Sequence, residues 1–129
     1  MICEDESIIA QSLQNLVKKT ILKKKKTIVN TIIAQNGVDC LYKLCNDYIN
    51  GFKYEILLID ENMPFLFGSE VIKIIYKLIS SKQLNNIKIY SITGNSNEEE
   101  RNYLLKCGVR GIYNKPLNVG MIESILNEN

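Results

Sequence analysis

Apolar residues along the chain switch repeatedly between the spacing of buried strands and the spacing of amphipathic helices. Short aliphatic runs, such as Ile56-Leu57-Leu58-Ile59, are typical of parallel strands that are buried on both faces. Apolar residues at positions i, i+3 and i+4 follow each run and indicate helices with one apolar face. The predicted strands cover residues 1–3, 28–34, 56–59, 87–92 and 111–114.

Turn and cap residues divide these runs into five strand–helix units. Ser7 is a plausible N-cap of the first helix, Asn36-Gly37 separates the second strand from its helix, and Cys107-Gly108 ends the fourth helix. The alternation predicts a (βα)5 α/β fold, a doubly wound five-stranded parallel sheet with helices on both faces. With 129 residues and no repeat, linker or low-complexity segment, the chain is expected to form a single domain over residues 1–129.

The amino-acid composition excludes several kinds of catalytic and metal site, whereas the net charge excludes none. The chain contains no histidine, which excludes Ser-His-Asp catalysis, Cys-His catalysis and histidine metal sites within these residues. The net charge of +2, from 16 basic and 14 acidic residues, implies no particular partner. The four cysteines form no Cys-x-x-Cys pair, so we expect small buried thiols in a reducing compartment and no zinc site.

Residues with acidic, hydroxyl and ammonium groups stand at the carboxyl ends of the predicted strands. They are Glu4 and Asp5 after the first strand, Asp60 after the third, Thr93 after the fourth and Lys115 after the fifth. Ligands bind at this edge of an open parallel sheet, so the five side chains are expected to face one crevice. Close carboxylates repel one another unless a cation lies between them, and Mg²⁺ suits such ligands. A cation, a hydroxyl and an ammonium together suit a phosphoryl group.

A set of short motifs runs in order along nearly the whole chain. They are Glu4-Asp5, Ala34-Gln35-Asn36-Gly37, Asp60-x-x-Met63-Pro64 with Gly68, Thr93-Gly94-Asn95 and Lys115-Pro116. The ordered set resembles that of two-component receiver domains, also called response-regulator domains. The pairing of Glu with Asp and the Thr-x-Asn pattern are similar to receivers of hybrid histidine kinases. The resemblance implies a flavodoxin-like receiver fold and a function in phosphorelay signal transduction.

The resemblance also implies a Mg²⁺ site. Asp5 and Asp60 would ligate the ion directly, together with the backbone carbonyl of Asn62. Glu4 would act on the ion through a water molecule. Glu stands here where Asp is commoner in the family, a mild change because this contact is expected to be indirect.

Three residues would carry the phosphoryl chemistry that the resemblance implies. Asp60 would be the phosphoacceptor and would attack a phosphohistidine on a partner, either a histidine kinase or a histidine phosphotransfer protein. Thr93 would hydrogen-bond a phosphoryl oxygen, and Lys115 would pair with the phosphoryl group or with free Asp60. The Lys115–Pro116 peptide bond is expected to be cis. Such a receiver is a signalling module rather than an ordinary enzyme, although it would catalyse its own phosphorylation and dephosphorylation.

One departure from the family pattern concerns the fifth strand. An aromatic residue usually stands three positions before the lysine, where this chain has Ile112. Tyr113 follows one position too late, and strand alternation predicts that it faces the opposite side of the sheet. The usual pairing of a threonine with an aromatic switch residue is therefore not expected here.

The sequence has no segment that could span or enter a membrane. The longest aliphatic run, residues 56–59, is far too short to cross a bilayer, and no signal peptide precedes the first strand. We expect a cytoplasmic domain without membrane contact of its own, either alone or as the cytosolic part of a larger membrane-bound kinase.

Two other functions remain open from the sequence alone. Small Mg²⁺-dependent phosphatases with an aspartyl nucleophile commonly carry a second acid two residues later, where this chain has Asn62. A nucleic-acid-binding module would use Lys23 to Lys26, but lysines without interleaved aromatic residues are a weak signal. A solvated loop is the favoured interpretation of that run, and nucleic acid is not an expected partner.

Overall fold

The computed structural model describes residues 1–24, 30–94 and 96–128, which form alternating strands and helices. The strands are β1 (Ile2–Cys3), β2 (Ile33–Ala34), β3 (Ile56–Asp60), β4 (Lys88–Thr93) and β5 (Gly111–Asn114). The helices are α1 (Ser7–Lys23), α2 (Gly37–Ile49), α3 (Gly68–Ser80), α4 (Glu98–Cys107) and α5 (Val119–Asn127). The predicted (βα)5 organisation is confirmed.

All strand pairs are parallel, and the strand order is β2-β1-β3-β4-β5. The chain runs from β1 outward to β2 and then crosses back to β3 on the other side of β1, which makes the gap between β1 and β3 the topological switch point. Cys3 pairs with Ile59, so the residues that follow β1 lie beside the end of β3. Asp60 pairs with Ile92 near the end of β4.

Two apolar clusters cover the two faces of the sheet, as the doubly wound prediction requires. One cluster packs α2, α3 and α4 against the sheet and includes Leu44, Ile72 and Leu104. The other packs α1 and α5 against the opposite face and includes Val17 and Ile122. The carboxyl edge of the sheet lies between these layers, where the loops after the strands are free to build a site.

Two predicted boundaries differ from the structure. The second strand was expected over residues 28–34. Residues 28–29 lie outside the described part of the chain, and of residues 30–34 β2 covers only Ile33–Ala34. Within the described residues β2 is an edge strand that pairs with the two-residue β1, and Ile33 pairs with Ile2, the first residue of β1, so the ladder does not extend to residues 30–32. Ser7 is the first residue of α1 rather than its cap; Glu6 holds the cap position and makes no capping side-chain bond.

The cysteines are all free thiols, but only two of them are fully buried. Cys3 and Cys40 lie in the core, as expected, whereas Cys45, within α2, and Cys107, the last residue of α4, are half-buried. The expectation of four buried thiols is therefore wrong for the second pair, because both thiols pack against the outside of the α2, α3 and α4 cluster and keep one side open to solvent.

Candidate functional site

Three carboxylates meet at the carboxyl edge of the sheet. Glu4 and Asp5 follow β1, and Asp60 is the last residue of β3, which is the neighbouring strand. One oxygen from each side chain lies within 4.8 Å of the others. Glu4 and Asp60 are buried and Asp5 is exposed. Oxygen ligands this close together, on one exposed and two buried side chains, fit a divalent cation that is reached from solvent.

Lys115 joins two of these carboxylates. Its Nζ lies 2.6 Å from Glu4 Oε2 and 3.1 Å from Asp60 Oδ2. The backbone N–H of Lys115 donates to the Thr93 carbonyl at 2.7 Å, and this bond holds the start of the β5–α5 loop against β4. The Lys115–Pro116 peptide bond is cis, as expected. The sequence led us to expect contact with Asp60, but not the shorter contact with Glu4.

Burial and charge act in opposite directions on these groups. Burial raises the pKa of the Asp60 carboxyl above its usual value; Lys115 and the Asn62 backbone N–H oppose the shift, and Asp5 adds to it. Burial likewise raises the pKa of Glu4, against contacts with Lys115 and the Glu6 backbone N–H. Burial alone would lower the pKa of Lys115, but its two carboxylate partners raise it. The lysine is therefore charged at neutral pH, and a further positive charge would favour ionisation of both carboxyls.

Thr93 is the last residue of β4, two strands away from the acidic pair. It is 3% exposed, and its hydroxyl oxygen has no hydrogen-bond partner among the described residues. A buried hydroxyl without a partner costs free energy, of order 1–3 kcal/mol, unless a ligand or water completes it. The hydroxyl is thus available to a group bound at the carboxyl edge of the sheet.

The two residues after Asp60, Glu61 and Asn62, make different contacts. The backbone N–H of Asn62 contacts Asp60 and lowers its pKa, so this peptide lies against the acidic cluster. Glu61 does not join the three carboxylates; instead it accepts hydrogen bonds from the backbone N–H and the hydroxyl of Ser69, at 2.9 and 2.7 Å. Glu61 was not among the residues predicted from the sequence to have a role. One feature of the sequence could have indicated it. Phe67 holds the cap position of α3, and an apolar side chain cannot accept hydrogen bonds from the first N–H groups of a helix, so another residue has to do so.

Gly68 permits the close approach of α3 to the end of β3. A Cβ atom at this position would lie 2.4 Å from the Asp60 carbonyl oxygen, far inside van der Waals contact. Since the obstacle is backbone, neither side can move away without shifting the strand end. The motif glycine is therefore a requirement of packing beneath the acidic cluster.

We predict that Gly68→Ala lowers the free energy of unfolding by about 1–3 kcal/mol, the usual cost of forcing extra volume into a packed site. Urea unfolding followed by circular dichroism measures the change. Gly120→Ala is the matched control, because its Cβ would make only an ordinary 3.4 Å contact with Asn118 Oδ1. Equal stability of Gly68→Ala and the unmutated chain would contradict the packing argument.

Residues Ile112 and Tyr113 lie on opposite faces of the sheet, as strand alternation predicted. Ile112 packs with the cluster of α2, α3 and α4. Tyr113 packs with the cluster of α1 and α5, where its ring lies 6.2 Å from that of Tyr90. The face that carries Ile112 therefore has an aliphatic residue at the position where, according to the resemblance, the family usually has an aromatic one.

A family model described as the response regulator receiver domain matches residues 1–127 of the chain. The chain belongs to the receiver domain family. It is 28% identical to Two-component response regulator 24 of Arabidopsis thaliana, over 93% of this chain and 91% of that protein. It is 27% identical to Sensor protein EvgS of Escherichia coli K12 over 85% of this chain, but it spans only 8% of EvgS.

Solved receiver structures share the fold of this receiver. A response regulator receiver protein from Pseudomonas putida has a TM-score of 0.74 and 16% identity, over 99% of this chain and 93% of that one. The Mn²⁺-bound form of response regulator Rcp1 has a TM-score of 0.68 and 22% identity, over 96% of this chain and 88% of that one. The flavodoxin-like receiver fold is thereby confirmed.

Family membership makes the chain a signalling module of two-component systems and a phosphorelay receiver. It favours neither the phosphatase nor the nucleic-acid-binding alternative. Of the run Lys23 to Lys26, on which the nucleic-acid-binding alternative depended, the last two residues lie outside the described part of the chain. Lys24 donates a hydrogen bond to Asn127 Oδ1 at 2.6 Å. In the described part of the chain, no helix combines the length and apolar character needed to cross a membrane.

Proposed function

We propose that this receiver takes a phosphoryl group onto Asp60 from a phosphohistidine of a partner protein. The observation that carries the proposal is the pairing of a buried Asp60 carboxylate with Lys115 at 3.1 Å, beside two further carboxylates. The chain contains no histidine, so the donor imidazole belongs to another protein or another part of a longer one. A histidine kinase or a histidine phosphotransfer protein fits this requirement.

The metal of the site would be Mg²⁺. Asp5 and Asp60 would ligate it directly with the Asn62 carbonyl, and Glu4 would act through water because Lys115 already occupies its Oε2. Mg²⁺ keeps several of its waters and takes only one or two protein carboxylates, which matches one exposed and one buried aspartate. When bound, the ion would neutralise charge on the phosphoryl oxygens.

The residues around Asp60 would have separate tasks in the transfer. An Asp60 carboxylate oxygen would form a bond to phosphorus as the P–N bond to the donor imidazole breaks, and the released ring nitrogen would take a proton from solvent water. Lys115, which now lies between Glu4 and Asp60, would pair with the negative charge of the phosphoryl group as the group is transferred. The Thr93 hydroxyl, which lacks a partner among the described residues, would donate to a phosphoryl oxygen of the product.

Dephosphorylation of Asp60 by the receiver itself is part of the same proposal, as is a single receiver domain over residues 1–129. A cytoplasmic location follows if the donor is a cytosolic histidine protein. The chain would then act alone or as a segment of a larger membrane-bound kinase.

Acetyl phosphate provides a direct test, because it replaces the unidentified donor. Incubation of the protein with acetyl phosphate and Mg²⁺ is expected to add one phosphoryl group in the intact mass spectrum. Reduction with borohydride converts a modified aspartate to homoserine, and peptide mapping is expected to find it at position 60. Chelation by EDTA should prevent the modification. Failure to modify the protein, or modification elsewhere, would contradict the proposal.

We predict a long-lived phosphoryl-aspartate. Asn62 and Asn95 stand two residues after Asp60 and Thr93, and an amide cannot act as a general base for the attacking water. Asn62 is exposed, whereas Asn95 lies outside the described residues. Asn62→Asp or Asn95→Glu should speed decay about tenfold, below the ~100-fold of a well-placed base. The loss of mass after removal of acetyl phosphate measures the rate, and equal rates would show that neither position governs water attack.

A further inference from the structure

The loop between β3 and α3 is fastened to the start of α3 by one residue, Glu61. Its carboxylate accepts from the Ser69 backbone N–H at 2.9 Å and from the Ser69 hydroxyl at 2.7 Å. Its backbone carbonyl accepts from the Gly68 N–H at 2.9 Å. These three bonds close residues 62–67 into a loop whose two ends are held together.

This arrangement replaces the local cap that α3 lacks. The cap position is occupied by Phe67, whose side chain has no oxygen to accept from the first N–H groups of the helix. Glu61 supplies that acceptor from the other end of the loop, and its negative charge suits the positive end of the helix. A second carboxylate, Glu70, accepts from the Phe67 N–H at 3.2 Å, but it belongs to the helix itself. Glu61 directly follows the strand residue Asp60, so its bonds tie the start of the helix to the end of that strand.

The loop is held in a conformation that its own residues do not favour. Phe65 has a φ of 72°, which costs a non-glycine residue of order 1 kcal/mol, and its side chain is 82% exposed. Contacts of the Phe65 side chain therefore do not fix the backbone. The loop is fixed instead by the hydrogen bonds of Glu61 at its ends and by two side chains: Met63 is buried with its sulfur 3.5 Å from Cys3 Sγ, and Leu66 packs against the core.

We propose that Glu61 is a positioning residue of the receiver site. It holds the loop so that the Asn62 peptide lies against Asp60, where its carbonyl would be available to the metal. The proposal deepens the function proposed above and rests on it, since it concerns the same metal and the same phosphoacceptor. Glu61 would touch neither the ion nor the phosphoryl group, and it would act through Ser69 and the backbone of the loop.

The test compares three variants: Glu61→Ala, Glu61→Gln and Glu70→Ala. Each is measured for Mg²⁺ affinity by calorimetry, for the rate of modification by acetyl phosphate, and for the urea midpoint of unfolding. Glu61→Ala is expected to weaken Mg²⁺ binding about tenfold, the lower end of what outer-shell partners contribute. Glu61→Gln keeps an oxygen for the Ser69 N–H and should stay within about twofold of the unmutated affinity.

Glu70→Ala is the matched control for helix stability. It removes the other carboxylate at the start of α3 and is expected to lower the urea midpoint much as Glu61→Ala does, with unchanged Mg²⁺ affinity. Equal Mg²⁺ affinity in Glu61→Ala and Glu70→Ala would overturn the positioning role. Equal losses in Glu61→Ala and Glu61→Gln would also overturn it, because the effect would then come from the charge of Glu61 alone.

Two further results can be distinguished from a failure of the positioning role: a Glu61→Ala variant that does not fold, and an unmutated protein without the proposed function. If Glu61→Ala does not fold, Ser69→Ala removes only the 2.7 Å bond and should weaken Mg²⁺ binding about threefold, as expected for one hydrogen bond. Unchanged affinity in that variant would overturn the proposal. If the unmutated protein itself neither binds Mg²⁺ nor accepts a phosphoryl group, the proposed function fails, and the role of Glu61 fails with it.

Discussion

Replacing Lys115 with arginine is expected to slow phosphorylation by acetyl phosphate about 100-fold, the effect of losing one donor to a developing negative charge. Lys115 Nζ lies within 2.6 Å of Glu4 and 3.1 Å of Asp60, and its side chain is only 16% exposed. A compact ammonium fits between two carboxylates in this space. A guanidinium is planar, wider and suited to bidentate partners, so it cannot take the same position against both. The rate of mass increase measures the loss.

Lys77→Arg is the control for the lysine-to-arginine change, because Lys77 is exposed on α3 and outside the site. It should be phosphorylated at the unmutated rate. Urea unfolding of Lys115→Arg shows whether the variant keeps the fold. A folded Lys115→Arg protein that is phosphorylated at the unmutated rate would show that any positive charge suffices, and the argument from site geometry would be wrong.

Asp5→Asn is expected to abolish Mg²⁺-dependent phosphorylation while leaving the metal-free fold intact. Asp5 is exposed, so its removal costs little packing, and its charge adds to the raised pKa of Asp60. The variant should therefore be at least as stable as the unmutated protein without metal. The unmutated protein should gain about 2.7 kcal/mol of unfolding free energy at about 100 times the dissociation constant of Mg²⁺. Asp5→Asn should lose that gain.

Urea unfolding with and without Mg²⁺ measures both effects of Asp5→Asn. Glu6→Gln is the control, because it makes the same charge change at the next residue, which is exposed and outside the group of three carboxylates. It should retain the stabilisation by Mg²⁺ and the phosphorylation rate. Retention of both in Asp5→Asn would remove Asp5 from the metal site.

The alternation of apolar spacing was sufficient to predict the fold, because each period belongs to one kind of element. Asp60 and Thr93 were expected just past their strands and are instead the last strand residues, a difference of one position that leaves them at the same edge. The opposite orientations of Ile112 and Tyr113 were also predictable, since the two-residue period of a strand depends on nothing beyond the strand itself.

Contacts between distant segments needed the tertiary structure. The Glu4–Lys115 ion pair joins residues 111 positions apart, and its 2.6 Å length depends on how the loops after β1 and β5 approach each other. The short β2 was not predictable either, because its length is limited by the neighbouring β1. Apolar spacing reports the burial of a segment, but it carries no information on how far a partner strand extends.

The sequence by itself determined the class of fold, the edge of the sheet that carries the site, and the residue types gathered there. These follow from local periodicity and from the rule that parallel strands end together. The grouping of Glu4, Asp5 and Asp60 was predicted in this way and is confirmed. Only the tertiary structure showed that the next acid, Glu61, has a different task. Asp60 faces Glu4 and Asp5, whereas its neighbour Glu61 turns to Ser69 and fastens α3. Two adjacent carboxylates look alike in a sequence, and the partners that satisfy each are set by the packing of α3 against β3.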